Sequence, residues 1–237
     1  GTLIGQALVA TAARLAAGGF HPKFIAPSTA NMGNAVGYFD ALRQVPGALA
    51  ALGTLSYHRY GGVSDANLTS LGQRASIYGV RTAMLEHIGS GVDDLYKDLT
   101  VGQVSAWQQF AMAYPNADNG GTYYPIISGQ PQLGSRTRYL RQYFRYVRLG
   151  AQRVGASSTS GALRPVAFRN PDGRLAVVIH ADQTGALTVR GLRPGQYGVS
   201  LTSSPTTTSE LGTQTAGANG TLSFTTSATG VLTVYAK

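Results

Sequence analysis

From Gly1 to Leu149 the chain alternates short apolar or β-branched runs with longer amphipathic ones, and this rhythm stops at Gly150. Strands are predicted over Lys23–Pro27, Thr54–Tyr60 and Val80–Glu86, with a fourth that begins near Val104 and extends to Ala113. Between and around them lie helical patterns: Leu3–Ala17, closed by Gly18-Gly19; Val36–Ala51, broken at Pro46-Gly47; Asn67–Tyr78; a segment from Leu95; and Ser135–Leu149. Ser28–Asn34 reads as the exit loop of the first strand. Strands separated by helices at this interval argue for a parallel sheet with crossover helices. Four such units make half of an eight-stranded (β/α)8 barrel.

Beyond Gly150 the chain is rich in Thr, Ser, Gly and Val, with short alternating runs between turn signals such as Asn170-Pro171-Asp172-Gly173 and Ala218-Asn219-Gly220. Val166–Arg169, Leu175–Ala181, Ala186–Arg190, Gly198–Ser203, Thr221–Thr225 and Val231–Ala236 are strand candidates, and Ser203–Gly220 reads as a long exposed loop or edge. The expected fold class is therefore α/β plus all-β: a half (β/α)8-type barrel of about four β/α units over residues 1–153, then a small antiparallel β-sandwich over 154–237.

Within the first part, the stretch from Gly79 to Gly91 carries the chemistry. A buried run, Val80–Leu85, meets Glu86 and then the loop formers Gly89, Ser90 and Gly91, as when a parallel strand delivers a carboxylate to its C-terminal edge. In barrels of alternating strands and helices, catalytic groups occupy that edge. The chain has only ten acidic residues, two of them glutamates, Glu86 and Glu210. By local pattern alone Glu86 equally fits a solvated loop acid or an arginine's partner.

The formal charge of +9 is mostly arginine, and Arg138, Arg141, Arg145 and Arg148 are spaced to share one helical face. Such a face reads first as solvated and second as a stripe for an acidic polysaccharide; no interleaving of basic and aromatic residues points to nucleic acid. With no cysteine there is neither a disulfide frame nor thiol chemistry. The four histidines lack metal-ligand spacing, so no metal and no cofactor are expected. No apolar run is long enough to span a bilayer.

Three segments taken together carry a family resemblance: Leu55-Ser56-Tyr57-His58-Arg59-Tyr60-Gly61, Thr82-Ala83-Met84-Leu85-Glu86-His87 and Ala106-Trp107-Gln108-Gln109-Phe110. In order and spacing they resemble the sixth, seventh and eighth strands of retaining glycoside hydrolases of the large barrel clan. Tyr143–Val154 is similar to the last barrel helix and its exit in the glucosylceramidase-like and xylanase-like branch, and Ala167–His180 to the start of the sandwich beside that barrel. The heparanase-like and glucuronidase-like branch shares the architecture and stands second.

The resemblance implies that Glu86 is the nucleophile, that His58 or Tyr60 orients it or contacts the sugar, and that Trp107 and Tyr123, with Tyr124 beside it, offer flat faces to sugar rings. It implies an oligo- or polysaccharide or glycoside substrate and a secreted or periplasmic setting. Trp107 fits a core aromatic at a strand start as well as a platform, and His87 reads as a loop histidine. One departure stands out. The family's acid/base, in an Asn-Glu pair at the end of the fourth barrel strand, has no counterpart, because Asn-Glu does not occur here. Asp40, Asp65, Asp93, Asp94, Asp98 and Asp118 do not lie at predicted strand ends. The chain is thus expected to be the C-terminal half of a longer enzyme, or a natural half-barrel completed by an upstream half or a second copy. The alternative is a non-catalytic carbohydrate-binding or structural half-barrel.

Overall fold

Helix α1, Thr2–Ala17, stops where Gly18 and Gly19 turn their N–H groups back onto Leu15 and Ala16. Strand β1 follows at Phe24–Asn31 and passes directly into α2, Met32–Leu42, because the Asn31 side chain accepts the Gly33 N–H at 2.8 Å and caps the helix. The predicted exit loop Ser28–Asn34 is therefore strand end and helix start. After the short α3, Ala48–Ala51, come β2 (Leu52–Gly61), α4 (Asp65–Tyr78), β3 (Arg81–Glu86), α5 (Val92–Thr100) and β4 (Ala106–Trp107). The computed structural model describes residues 1–115 and 117–237.

The first four strands form one parallel sheet in the order β1-β2-β3-β4. Its helix-facing side is apolar: Ala26, Leu55, Tyr57 and Met84 pack with Met32, Phe39, Leu42, Leu68 and Leu71 in one core. Each buried Leu, Met or Phe side chain among them contributes about 1.5–3 kcal/mol.

The fourth strand is far shorter than the Val104–Ala113 run predicted. Gln108 makes a last rung to the Met84 carbonyl at 2.9 Å, whereas the Gln109 N–H turns away to the Tyr123 phenol oxygen at 3.1 Å. Ala111–Tyr114 is then a separate strand, β5, in a three-stranded sheet with β6 (Thr122–Ile127) and β7 (Gln130–Pro131).

Two compact units divide at Tyr123 and Tyr124, ahead of the compositional change at residue 153. In the second unit, α6 (Ser135–Phe144) precedes β8 (Gln152–Val154), β9 (Leu163–Arg169), β10 (Leu175–Ala181), β11 (Gly185–Val189), β12 (Gly195–Thr202), β13 (Thr208–Ala216), β14 (Leu222–Thr226) and β15 (Gly230–Ala236). A six-stranded sheet, β13-β12-β15-β10-β9-β8, faces the pair β11-β14 over a core that includes Val199, Leu201, Leu222, Phe224, Leu232 and Val234. Alternation sends Ser200, Thr202 and Thr233 to the opposite side, where buried Gln142 of α6 bonds all three. That polar seam places α6 with the sandwich.

The four arginines do not all share one helical face, because Arg148 lies outside the helix. Helix α6 ends at Phe144, so Arg145 caps it and Arg148 lies in the turn beyond, while Arg141 reaches Ser200 and Glu210. Ser203–Gly220 is an edge, as its composition allowed, since β13 pairs only with β12.

Candidate active site

Glu86 ends β3 at the C-terminal edge of the parallel sheet. Its direction depends on a bulge: Tyr57 pairs with Met84, but the next residue, His58, pairs with Glu86, so Leu85 is extra. In unbroken register Glu86 would stand opposite Arg59, on the helix side. The bulge turns it instead to the face of Ser56, His58 and Tyr60.

There the Tyr60 phenol donates to Glu86 Oε1 at 3.0 Å, and His58 Nδ1 stands 3.9 Å from the same oxygen, an ion-pair distance for a protonated imidazole. The Glu86 side chain is one-third exposed. The Tyr60 oxygen also accepts the Ile88 N–H at 3.3 Å, fixing the loop that leaves Glu86. Partial burial, and then the adjoining Glu86 carboxylate that accepts its proton, push the Tyr60 phenol above its ordinary range. The His87 ring meets the Tyr60 ring edge-on at 5.2 Å, and His87 Nδ1 lies 2.7 Å from Ser90 Oγ.

The sequence signalled neither Ser28 nor Ser56 as a site residue. Ser28, with φ of 56°, donates its N–H to Ser56 Oγ at 3.1 Å and sets its own hydroxyl 3.0 Å from His58 Nε2. A serine in the left-handed region inside a strand is uncommon; Ser28 sits at the register shift between Pro27 and Thr29 of β1, and there it holds the imidazole from behind.

Trp107 does not join this cluster. It pairs with Met84, packs against the helix-side core and donates its indole N–H to Asp98 Oδ2 at 2.9 Å. It is partly buried against that core, on the face opposite Glu86. Tyr123 is anchored beside β4 by the Gln109 N–H and makes no hydrogen bond to Glu86; burial raises its phenol. Tyr124 is exposed on β6. Among the described residues no three of His, Asp and Glu converge as a metal site would require.

Behind the sheet, Arg59 donates to Asp98 Oδ1 and Asp94 Oδ1, both at 2.7 Å, and the Tyr57 phenol donates to Asp98 Oδ1 at 2.8 Å. Burial pushes the Asp98 carboxyl up to about 6 against the pull of Arg59 and the two other donors, and it raises the Tyr57 phenol as well.

Residues 150–234 match the glycosyl hydrolase family 30 beta sandwich domain. The chain is related to the family 30 glycoside hydrolases. Its whole length superposes on the catalytic domain of a family 30 xylanase C from Talaromyces cellulolyticus, with a TM-score of 0.80 and 15% identity. A family 30 endoxylanase from Clostridium papyrosolvens matches 91% of the chain at 0.71 and 17%, and an endo-beta1,6-glucanase matches 95% at 0.59 and 18%. At these identities the likeness is one of fold: partial barrel, then sandwich. The chain spans 57%, 56% and 51% of the lengths of those three structures.

Proposed function

We propose that this chain is the part of a retaining glycoside hydrolase that carries the nucleophile, Glu86, and acts on an oligo- or polysaccharide or glycoside. One observation supports this above the rest: a bulge spends a residue to aim the one acid at the end of a parallel strand toward a tyrosine donor and a histidine. All Glu86 contacts with Tyr60 and His58 fall on Oε1, which leaves Oε2 without a hydrogen bond among the described residues. In the proposed reaction Glu86 attacks the anomeric carbon, the bond to the leaving oxygen breaks, and a second carboxylic acid protonates that oxygen. The same carboxylate then takes a proton from water, which attacks the glycosyl ester and releases Glu86.

Retention requires the two carboxyls roughly 5–5.5 Å apart. Among the described residues, Asp40 is held by Arg43 and Arg74, Asp65 by Lys97, and Asp94 and Asp98 by Arg59; none bonds to Glu86 or to its partners Tyr60 and His58. In this reading an upstream barrel half or a second copy of the chain supplies the second carboxyl. The outer sides of β1 and β4, edges of a parallel sheet, are where such a partner would continue the barrel.

The test uses aryl glycosides and a slow fluorosugar substrate, with the chain alone and with an upstream half added. Hydrolysis, with the sugar esterified to the peptide containing Glu86, is expected once the second carboxyl is supplied, and Glu86→Gln should lose on the order of 10⁴-fold or more while staying folded. Undiminished hydrolysis by folded Glu86→Gln removes the assignment. Glycan binding without hydrolysis in any combination would identify a binding half-barrel instead.

A further inference from the structure

Arg59 is nearly buried, its side chain 3% exposed, and it sits in β2 between His58 and Tyr60 while pointing the other way. Its two ion pairs reach α5, where the Asp98 side chain is fully buried and Asp94 is about one-third exposed. A buried ion pair is poor evidence of stabilisation, because desolvating both charges offsets most of their attraction; apolar residues of similar size often do as well. The location of this one suggests a different use.

Asp94 has a second task. Its Oδ2 accepts the Gly91 N–H at 3.0 Å, at the start of α5, while Oδ1 holds Arg59. The loop that follows Glu86 is thus held at both ends by adjacent residues of β2: Ile88 N–H on the Tyr60 oxygen, and Gly91 N–H on the carboxylate that Arg59 grips. Asp98 completes the clamp by collecting Tyr57 from β2 and Trp107 from β4. Two parallel strands, β2 and β4, helix α5 and the loop that leaves β3 are thereby tied together within a few residues of Glu86.

We propose that Arg59, with Asp94 and Asp98, is a positioning device for the candidate nucleophile: it fixes the end of β2 and the loop 87–91 so that Tyr60 stays on Glu86. Arg59 does not touch the reacting atoms; it acts through Tyr60 and the loop. Only the catalytic consequence rests on the glycosidase reading, since the geometry can be measured without hydrolysis.

The test compares Asp94→Asn, the pair Arg59→Met with Asp98→Leu, and Asp65→Asn, which breaks an exposed ion pair between α4 and α5, as a control. The Tyr60 phenol is isolated by ultraviolet difference titration against Tyr60→Phe in each background, and exchange of the Ile88 and Gly91 amides is followed by NMR. In the double variant the Tyr60 phenol should fall back toward its ordinary 10.0, and both amides should exchange at least tenfold faster; the thermal midpoint should fall, because Asp98→Leu leaves the Tyr57 and Trp107 donors unpaired. Asp94→Asn keeps the Arg59–Asp98 pair, and should speed Gly91 exchange most; it decides the matter if the double variant does not fold. The control should change neither. If folded clamp variants leave the Tyr60 titration and both amides unmoved, the clamp is structural filling and the proposal fails. Where hydrolysis is measurable, kcat should drop with KM unchanged; absence of any glycosyl ester at Glu86 in the parent chain would instead count against the glycosidase reading alone.

Discussion

Replacing Gln142 by leucine and by alanine should give two distinct losses of stability in the sandwich unit. The Gln142 side chain is fully buried; its Nε2 donates to Ser200 Oγ and Thr202 Oγ1 at 3.3 and 2.9 Å, and its Oε1 accepts from Thr233 Oγ1 at 2.9 Å. With leucine the volume is kept and those bonds go, but no hydroxyl is orphaned. Thr233 Oγ1 still donates to the carbonyl of residue 142 at 2.7 Å, Thr202 Oγ1 still donates to the Arg138 carbonyl at 3.2 Å, and Ser200 Oγ still accepts from Arg141 at 3.3 Å. With each lost bond worth about 1 kcal/mol net and no amide left to desolvate, the leucine variant should lose only about 1–2 kcal/mol. Alanine adds lost packing and a cavity on the order of 50 Å³ at about 24 cal/mol per Å³, for a total of about 3–4 kcal/mol. The assay is hydrogen exchange at the most protected amides of β15, which reports opening of this unit without assuming a two-state chain. Because about 1.4 kcal/mol is tenfold, exchange should quicken by roughly 10-fold for leucine and several hundredfold for alanine. Equal effects, or a leucine variant as damaged as alanine, would show that the hydroxyls depend on the amide and refute the reasoning.

Gly62 lies just beyond β2 with φ of 63°, and a Cβ there would meet Asn31 Oδ1 at 2.3 Å and the Gly33 nitrogen at 2.5 Å. Gly62→Ala should therefore cost about 2–3 kcal/mol, combining left-handed strain with a displaced cap on α2, as a shift of the urea midpoint read by fluorescence of Trp107, the one tryptophan; a loss below about 0.5 kcal/mol would show that the loop relaxes freely. For Asp98, a folded value of about 6 above the ordinary 3.8 means its contribution to stability is full below 3.8 and is lost as pH rises through about 6. Relative to Asp98→Asn, which cannot titrate, the parent's unfolding midpoint should decline from about pH 4 to about pH 7; a flat or rising difference contradicts the burial argument.

The strand-helix rhythm, the sandwich and the position of Glu86 were legible because each rests on local periodicity and on residues that end elements. What the sequence left open was mostly a matter of which way side chains face. Trp107 occupies two residues of strand, too few for alternation to declare its face, and only its pairing with Met84 puts it in the core. The bulge at Leu85 leaves no compositional mark, so Glu86 could be placed at the strand end but not aimed. Ser28 was hidden for a related reason: a strand that runs on into a helix cap resembles a loop in sequence. Arg59 did leave a signal. It shares parity with Leu55 and Tyr57 in β2, and Asp94 and Asp98 sit four apart in a helix beside Leu95 and Leu99, so an arginine on an apolar face had matching acids within reach.

That parity divides β2 into two functions carried by one strand. Ser56, His58 and Tyr60 face Glu86, directly or through a neighbour's hydrogen bond, whereas Leu55, Tyr57 and Arg59 face the helices. Strand ends are where a sheet frays, since the last residues have few rungs, and β2 runs past the last β3 residue that pairs with it. Tyr60 lies in that overhang on the β3 side, although β1 still pairs with β2 as far as Gly61; toward β3 the polar contacts of Arg59 on one face and the Ile88 N–H on the other take the place of rungs. A carboxylate aimed by a bulge and a tyrosine held beyond the β2–β3 ladder both depend on interactions outside the ordinary register of those two strands. Substitutions of the polar residues on the helix-facing parity should therefore disturb the chemistry of Glu86 without touching it, and removing Arg59 alone should also cost stability, since it leaves the buried Asp98 carboxylate without its cation.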